Sequence, residues 1–409
     1  MSLREIVKKS LYAPLTGKNI VLGLTASSAV YRSIDLARNL LRLGANIRVV
    51  MSKESLKLIG ETLVEWATGS KPYTELTGSV EHLELSDWAD LMVIVPATLK
   101  TMAKISSGIG DELLPLLAIS MIGVGKPVMV VPTMNIRLYK SPQYERVRDS
   151  LESMGVYVVK PFIEEDRVKF PPLEDLLHCV DAFANRGRDL VGKRVLVTTG
   201  ATREYIDPIR VITNPSTGLM GVLIAREAFC RGAEVDLIYG SVSVKLPYGV
   251  NRYGVVTTSD MAKAVEKLTS SNKYDVAIFA AAPADYTVSS RSTRKISTRE
   301  TPSLNITLRP TPKVVKHVSR SNKPDKIVVF VAETVEYYDE LVSRAREKLR
   351  EYEASLAIAN SIHLGVGFGE EYLDACVVTE NNHKCLGVVR KEVIARMIID
   401  YVAGRDILA

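Results

Sequence analysis

The sequence predicts an α/β protein: two Rossmann-like, doubly wound parallel-sheet domains in tandem. Short, continuous apolar runs alternate with helical patterns from residue 18 to 160, and again from Lys193 onward. Uninterrupted apolar strands separated by helices are buried on both faces, as in parallel sheets covered on both sides. The polar clusters fall immediately after the strands, where open sheets of this kind bind ligands. Between the two series the rhythm breaks, where Pro161, Pro171 and Pro172 flank the charged stretch Glu164–Lys169. Domain one is therefore set at 1–190, with 161–190 as the connecting segment, and domain two at 191–409.

Asn19–Leu24 reads as the first strand. Ala29–Leu43 is an amphipathic helix, with Gly44 as a left-handed cap. Asn46–Met51, Leu91–Pro96 and Pro127–Pro132 are strands, and helices fit at 99–107, 112–122 and 142–153. A short helix, Leu173–Asn185, follows the break. The second series has strands at 194–198, 234–239, 274–280, 327–331, 355–359 and 374–378, and helices at 218–231, 260–269, 336–351 and 391–402. Residues 287–313 lack periodicity and carry Arg291, Arg294, Lys295 and Arg299. An irregular stretch of that length in a compact domain is usually functional or disordered.

Composition narrows the classes. A 409-residue chain that is 46% hydrophobic can build two cores. No apolar run reaches the ~18 residues that span a bilayer. The opening residues lack a signal-peptide core, which predicts a cytoplasmic protein. Cys179, Cys230, Cys376 and Cys385 form no C-x-x-C pair, which argues against a disulfide framework or zinc site and fits a reducing compartment. Net charge is +6 with both signs interspersed, too weak for nucleic acid but mildly favourable to small anions. Gln143 is the sole glutamine, and depletion of labile amides is a tendency of heat-adapted proteins.

The richest segment is Thr198–Gly221. It joins an apolar strand to a helix through a Gly/Ser/Thr-rich loop, and such a loop can cradle a phosphate with backbone N–H groups and a helix N-terminus. It is neither a P-loop nor G-x-G-x-x-G. On residue chemistry alone a polar crossover loop stands equally. Gly365–Gly369 is the other glycine-rich candidate, but it does not lie between a strand and a helix start, as a dinucleotide motif requires. In the first half Thr25–Ala29, Ser52, Pro96–Thr101 and Pro132–Asn135 each follow a strand. Each alone reads as an ordinary helix cap; four along one sheet edge suggest a cofactor.

Thr198–Gly221, with Thr-Asn-Pro-Ser-Thr-Gly ending at Gly218, resembles the nucleotide-binding loop of phosphopantothenate–cysteine ligases. Ala280–Tyr286 resembles their Ala-Ala-x-Ala-Asp-Tyr. The N-terminal half, through Pro96-Ala-Thr98 and Ala103–Leu114, resembles flavin-dependent phosphopantothenoylcysteine decarboxylases. The order is that of the fused bifunctional enzyme of coenzyme A synthesis, and the resemblance covers nearly the whole chain. It implies a flavodoxin-like first domain and a ribokinase/Rossmann-like second. It also implies CTP-dependent condensation of 4′-phosphopantothenate with L-cysteine through an acyl-cytidylate. FMN-dependent decarboxylation to 4′-phosphopantetheine then follows. Mg2+ is expected with the nucleotide phosphates.

In the decarboxylase half the resemblance implies that Ala26, Ser27, Ser52, Thr98, Thr101 and Thr133 contact FMN. A lone histidine is more often structural, but His82 in Val80–Leu85 matches a catalytic histidine whose neutral pKa suits proton removal. The implied chemistry oxidises the cysteine-derived thiol to a thioaldehyde that stabilises the carbanion left when CO2 departs. Asn135 matches the residue that holds the substrate carboxylate. In the ligase half Asn214 matches the residue that holds the acyl-nucleotide, and Gly200, Ala201 and Thr202 match the glycine-rich turn. Asp285, Lys295, Thr311, Pro312, Lys313, Val314, Phe330 and Lys348 match nucleotide contacts, with Lys295 on the triphosphate and Phe330 against the base.

Departures matter. Ala26 stands for a glycine, Lys100 for an asparagine, Leu138 for a methionine and Tyr352 for a lysine, and Lys295-Ile-Ser297 for Lys-Ile-Lys. The family flap carries Ala-Cys-Gly, whose cysteine donates a proton. Here Glu164–Phe170 takes its place, leaving Arg167 or Lys169 to close over the substrate, with Lys169 or water as donor. Cys179 falls on the apolar side of its helix and reads as core. Four alternatives stay open: a ligase with a flavin-binding but decarboxylation-incompetent first half, a regulatory flavoprotein without turnover, a nicotinamide-dependent reductase, and ATP in place of CTP. No nucleic-acid or membrane partner is expected. Family members form trimers through the first domain and dimers through the second, which together would close into a homo-oligomeric dodecamer.

Overall fold

A computed structural model describes residues 12–299, 303–362 and 370–408. The chain divides into two compact units between Gly187 and Arg188. In chain order the first runs β1 (Asn19–Leu24), α1 (Arg32–Arg42), β2 (Asn46–Met51), α2 (Glu61–Thr68), α3 (Glu81–Trp88), β3 (Leu91–Ala97), α4 (Leu99–Ser106), α5 (Leu113–Gly123), β4 (Val128–Pro132), α6 (Pro142–Ser153), β5 (Tyr157–Val158), β6 (Phe162–Glu164), β7 (Arg167–Lys169) and α7 (Leu173–Arg186). Its main sheet is parallel throughout, in the order β2-β1-β3-β4-β5. β3 and β4 are buried at every position, as their unbroken apolar runs require. α1 turns Leu36, Ala37, Leu40 and Leu41 inward. Strand order reverses between β1 and β3, so the loops leaving those two strands diverge and open a crevice at their carboxyl ends.

The stretch that reads as a connecting segment is a hairpin. β6 pairs antiparallel with β7, and β7 pairs with Met134–Asn135. The two turn residues, Glu165 (φ 49°) and Asp166 (φ 55°), are both left-handed, as in a two-residue type I′ turn.

The second unit runs β8 (Arg194–Thr199), α8 (Leu219–Cys230), β9 (Glu234–Tyr239), β10 (Asn251–Gly254), α9 (Thr258–Ser271), β11 (Val276–Phe279), β12 (Lys326–Glu333), α10 (Tyr338–Tyr352), β13 (Leu356–Ser361), β14 (Tyr372–Val378), β15 (His383–Arg390) and α11 (Lys391–Val402). The sheet order is β10-β9-β8-β11-β12-β13-β14-β15. It is parallel as far as β13, and the last two strands are antiparallel. α8 lies so close to β8 that a Cβ on Gly221 would stand 2.4 Å from the Thr199 side chain. Only glycine permits that approach.

Arg231, just past α8, is fully buried. It bonds Asp189 at 2.8 and 2.7 Å and Asp400 at 2.7 Å, with Glu227 at 3.5 Å. One guanidinium thereby ties the start of the unit, α8 and α11 together. Residues 287–313 are not wholly irregular, because Tyr286–Val288 pairs antiparallel with Leu308–Pro310. Gly365–Gly369 lies outside the described residues.

The cysteine reading is corrected. Cys376 on β14 and Cys385 on β15 face each other and are joined by a disulfide, with their Cα atoms 3.9 Å apart. A pair across a hairpin is brought together by strand pairing, so it needs no C-x-x-C spacing.

Candidate active sites

In the second unit a cavity of about 460 Å³ opens at the carboxyl ends of β8, β11 and β12. That is the point where strand order reverses, between β8 and β11. Asn214, Asp285, Thr311, Pro312, Lys313, Val314 and Phe330 all line it, although they come from three separate loops and a strand. Ser216, Thr217, Gly218 and Leu219 bring the N-terminus of α8 to the same wall.

Hydrogen bonds hold these segments together. Asn214 Nδ2 donates to the carbonyls of Ala282 (3.3 Å) and Pro283 (2.9 Å), joining the loop before α8 to the loop after β11. Thr311 donates from its N–H to Asp285 O at 2.9 Å and from its hydroxyl to Ala284 O at 2.6 Å. Lys313 Nζ lies 2.7 Å from Asp285 Oδ1, and that bond raises the lysine pKa above its ordinary value. A cation, a carboxylate, a helix N-terminus and the half-buried ring of Phe330 therefore converge on one cavity.

Other expected contacts lie elsewhere. Gly200, Ala201 and Thr202 do not line the cavity; they stand behind its wall. Thr202 is fully buried, with its hydroxyl 2.7 Å from that of Thr258 and accepting from Ala284 N–H at 2.8 Å. Ala201 exchanges backbone bonds with Ser241, and Ala282 N–H donates to Gly200 O at 2.9 Å. A Cβ on Gly200 (φ 82°) would strike Ser241 O at 2.6 Å. The turn thus shapes the wall from outside.

Lys295 is exposed and outside the cavity lining. Its loop is nonetheless anchored, since Asp207 accepts from Ile296 N–H at 3.2 Å and Arg210 donates to Ile296 O at 3.1 Å. The N–H of Arg210, with those of Ile209 and Ile296, holds the Asp207 carboxyl far below the usual carboxylate range. Lys348 also lies outside the lining. It pairs with Glu351 at 2.6 Å and stands 5.4 Å from the ring centre of Tyr352, which does line the cavity. Sequence reasoning missed Lys391, a lining residue only 5% exposed. Flanked by Arg390 and Glu392, it reads as an ordinary charged helix start.

In the first unit the expected flavin residues gather along one sheet edge. Ala26 and Ser27 follow β1, Ser52 follows β2, Thr98 and Thr101 follow β3, and Thr133 follows β4. Ser27 accepts from Ala29 N–H at 3.3 Å, and Thr98 caps α4 with its hydroxyl 3.2 Å from that of Thr101. Ser52 lines a smaller cavity of about 140 Å³ with Lys53, Asp111 and Glu112. The Thr133 hydroxyl is buried without a hydrogen-bond partner among the described residues. Buried polar groups are normally bonded, so an orphaned hydroxyl at this crevice fits a bound polar group such as a flavin. His82 on α3 is half-buried, and its Nδ1 is likewise buried and unbonded among the described residues.

Asn135 caps a short helical turn, its Oδ1 accepting from Arg137 N–H at 2.9 Å. β7 lies against it, with Arg167 in register opposite Asn135. Lys169 is held by Glu164 at 3.0 Å and Glu165 at 2.7 Å, and those bonds raise its pKa, Glu165 most. Lys169 therefore holds its proton more tightly than a solvated lysine, which favours charge over acid catalysis. Among the described residues no group of three or more His, Cys, Asp and Glu is placed to hold a metal. No helix among them is long and apolar enough to cross a membrane.

Comparison with known proteins matches the two units separately. Residues 8–185 match the Flavoprotein family, and residues 190–405 match the C-terminal domain family of the DNA/pantothenate metabolism flavoproteins. The coenzyme A biosynthesis bifunctional protein CoaBC of Thermococcus kodakarensis is 37% identical over 393 residues, covering 95% of each chain. That of Methanocaldococcus jannaschii is 32% identical over 396 residues, covering 96% of each. The crystal structure of the C-terminal domain of a CoaBC protein is 30% identical, covers 53% of this chain and 97% of its own, and has a TM-score of 0.43. With both domains in the same order across nearly its whole length, the chain belongs to the family of bifunctional coenzyme A biosynthesis proteins.

Proposed function

We propose that this chain performs two consecutive steps of coenzyme A biosynthesis. The second unit condenses 4′-phosphopantothenate with L-cysteine, using CTP and passing through an acyl-cytidylate. The first unit then decarboxylates 4′-phosphopantothenoylcysteine to 4′-phosphopantetheine with FMN. The observation that carries this reading is the match of both units, in order, to bifunctional relatives over 95% of the chain.

In the ligase cavity Asn214 holds the acyl-nucleotide while its Nδ2 is anchored to Ala282 and Pro283. Lys313 and Asp285 bracket the nucleotide, and Phe330 offers a ring face to the base. Asp285, the carboxylate on the cavity wall, would hold a Mg2+ ion bound to the triphosphate, which would neutralise phosphate charge. Ser216–Leu219 bring the positive end of α8 to phosphate oxygens. The anchored Lys295 loop would supply further positive charge to the pyrophosphate that leaves when the acyl-cytidylate forms.

In the first unit Ser27, Ser52, Thr98, Thr101 and Thr133 would hold FMN, which supplies the two-electron oxidation of the substrate thiol and its reversal. His82 removes a substrate proton. Asn135 orients the substrate carboxylate, and Arg167, in register with it, closes over the same group. Lys169 keeps the hairpin charged, which leaves water as the proton donor. The protein acts in the cytoplasm as a homo-oligomer, trimeric through the first unit and dimeric through the second.

The purified protein, given FMN, Mg2+, CTP, L-cysteine and 4′-phosphopantothenate, is expected to accumulate 4′-phosphopantetheine by mass spectrometry. The cysteine-free hairpin favours a second reading in which the first unit binds flavin but does not decarboxylate. Accumulation of 4′-phosphopantothenoylcysteine would select that reading. No product with either CTP or ATP would overturn both.

A further inference from the structure

Asp207 is a fully buried carboxylate in the turn that joins Glu204–Tyr205 to Val211–Ile212, two short strands paired antiparallel. A buried charge must find partners, and its two oxygens find them in different places. Oδ1 accepts from the N–H groups of Ile209 and Arg210, both at 2.8 Å, and so closes its own turn. Oδ2 accepts from the Arg210 guanidinium at 2.5 Å and from Ile296 N–H at 3.2 Å. Ile296 lies 89 residues further along the chain, and the residue before it is Lys295.

Three more contacts tie the same two segments. The Arg210 guanidinium donates to Ile296 O at 3.1 Å, Ser292 N–H donates to Ile206 O at 2.9 Å, and the Arg291 guanidinium stands 4.8 Å from the centre of the Tyr205 ring. Lys295 is thereby bracketed, by Ser292 before it and Ile296 after it, while remaining exposed itself. Both segments lead to the cavity. The 206–210 turn continues through Val211–Ile212 to Asn214, a lining residue. The Lys295 loop springs from the pair Tyr286–Val288 and Leu308–Pro310, which is flanked by the lining residues Asp285 and Thr311. Tying Lys295 to the 206–210 turn fixes a cation relative to Asn214 before substrate arrives. Charge placed in advance stabilises a transition state without reorganisation at the moment of reaction.

We propose that Asp207 is a positioning residue of the ligase reaction, holding the Lys295 loop against the hairpin that leads to Asn214 so that Lys295 meets the phosphates of the nucleotide. The proposal rests on the ligase reading above. Asp207 touches no substrate and acts through Lys295.

The test is D207N in the full-length protein. Asparagine has nearly the shape of aspartate. It keeps one oxygen for Ile209 and Arg210 N–H but sets an NH2 against the Arg210 guanidinium and Ile296 N–H, so the turn persists while the tie is cut. Pyrophosphate release with CTP–Mg2+ and 4′-phosphopantothenate gives kcat/KM for CTP in wild type, D207N, K295M and the double variant. D207N and K295M are each expected to lose tenfold or more, and the double variant to stay within twofold of K295M, because the two residues act as one unit. A second readout needs no substrate. Trypsin cleavage after Arg294 and Lys295 should be at least fivefold faster in D207N than in wild type, with sites outside the loop unchanged. Losses that multiply in the double variant, D207N or K295M within twofold of wild type, or unchanged cleavage of the loop would overturn the proposal. Should D207N fail to fold, R210M, which removes the bond to Ile296 O, carries the same cycle and the same cleavage assay. Failure of the ligase reading is distinguishable: wild type itself would then release no pyrophosphate, whereas failure of this proposal appears only in the variants.

Discussion

Asn214→Asp tests the ligase wall at its joint. The substitution exchanges an NH2 for an oxygen with almost no change in shape. The wild-type amide donates to Ala282 O at 3.3 Å and Pro283 O at 2.9 Å. In the variant an ionised carboxylate would face two carbonyl oxygens and donate to neither. Leaving partly buried acceptors unpaired costs roughly 1–3 kcal/mol. At about 1.4 kcal/mol per tenfold, that amounts to roughly a fivefold to 150-fold effect on whatever depends on the joint. The loop it releases carries Asp285, so the loss is expected in nucleotide turnover. Pyrophosphate release with saturating 4′-phosphopantothenate would give kcat/KM for the first ligase step, with calorimetric Tm as the companion measurement. Protonating the introduced carboxylate restores one donor, so the defect should shrink as pH falls toward ~5, near the ordinary carboxyl range. A variant with wild-type kcat/KM and wild-type Tm would show that the two bonds carry nothing, and the account of this wall would be wrong.

Arg231→Met removes the cation shared by Asp189, Glu227 and Asp400, leaving Arg396 beside Glu227 and Arg405 beside Asp189 and Asp400; breaking such a buried cluster should cost about 3–5 kcal/mol, or roughly 6–20 °C in the Tm of the second unit, and a loss under about 1 kcal/mol in urea unfolding would contradict it. The same cluster should weaken in acid. Burial pushes Asp189 up, but Arg231 and Arg405 hold it lower than an ordinary aspartate. Its contribution is therefore present above the unfolded pKa of ~3.9 and lost as pH falls through the lower folded value, which a pH series of urea midpoints would follow. Asp166→Gly relieves a left-handed aspartate at the hairpin turn and should stabilise the first unit by up to about 1 kcal/mol; a fall in its Tm would count against the turn assignment. Losing the Cys376–Cys385 bridge should cost about 2–3 kcal/mol by the loop-entropy relation, seen as a lower Tm for Cys385→Ser than for wild type without reductant, a gap that closes when both are measured in dithiothreitol.

The strands were legible because burial on both faces leaves an unbroken apolar run, as Leu91–Ala97 and Val128–Pro132 show. The strand-end rule placed the polar clusters along the carboxyl edge, and the family resemblance singled out Asn214, Asp285 and Thr311–Val314, which line one cavity. The hairpin at 162–169 was hidden because its turn uses Glu165 and Asp166 where such turns favour Asn-Gly. α3 escaped notice because Leu83 is exposed while Leu85 and Ser86 are buried, so its pattern lacks a clean apolar face. Lys391 was invisible for a different reason. Burial of a charged residue is a property of its neighbours in space, and Arg390 and Glu392 on either side make it look solvated. Lys295 and Lys348 show the converse, for both looked like cavity residues and lie outside its lining.

The hairpin that replaces the cysteine-bearing flap has a consequence for how this enzyme meets a hostile cell. A catalytic thiol is the side chain that peroxide and electrophiles attack first, and once carried to the sulfinic or sulfonic stage it rarely returns. Glu164–Phe170 has no sulfur to lose. Its charged groups, the Arg167 guanidinium and the Lys169 ammonium clamped by two carboxylates, carry no thiol for such reagents to take. Decarboxylation in this chain should therefore continue after alkylating treatment that silences thiol-dependent relatives, so that a supply line for the cell's main thiol carrier does not itself depend on a vulnerable thiol at this position.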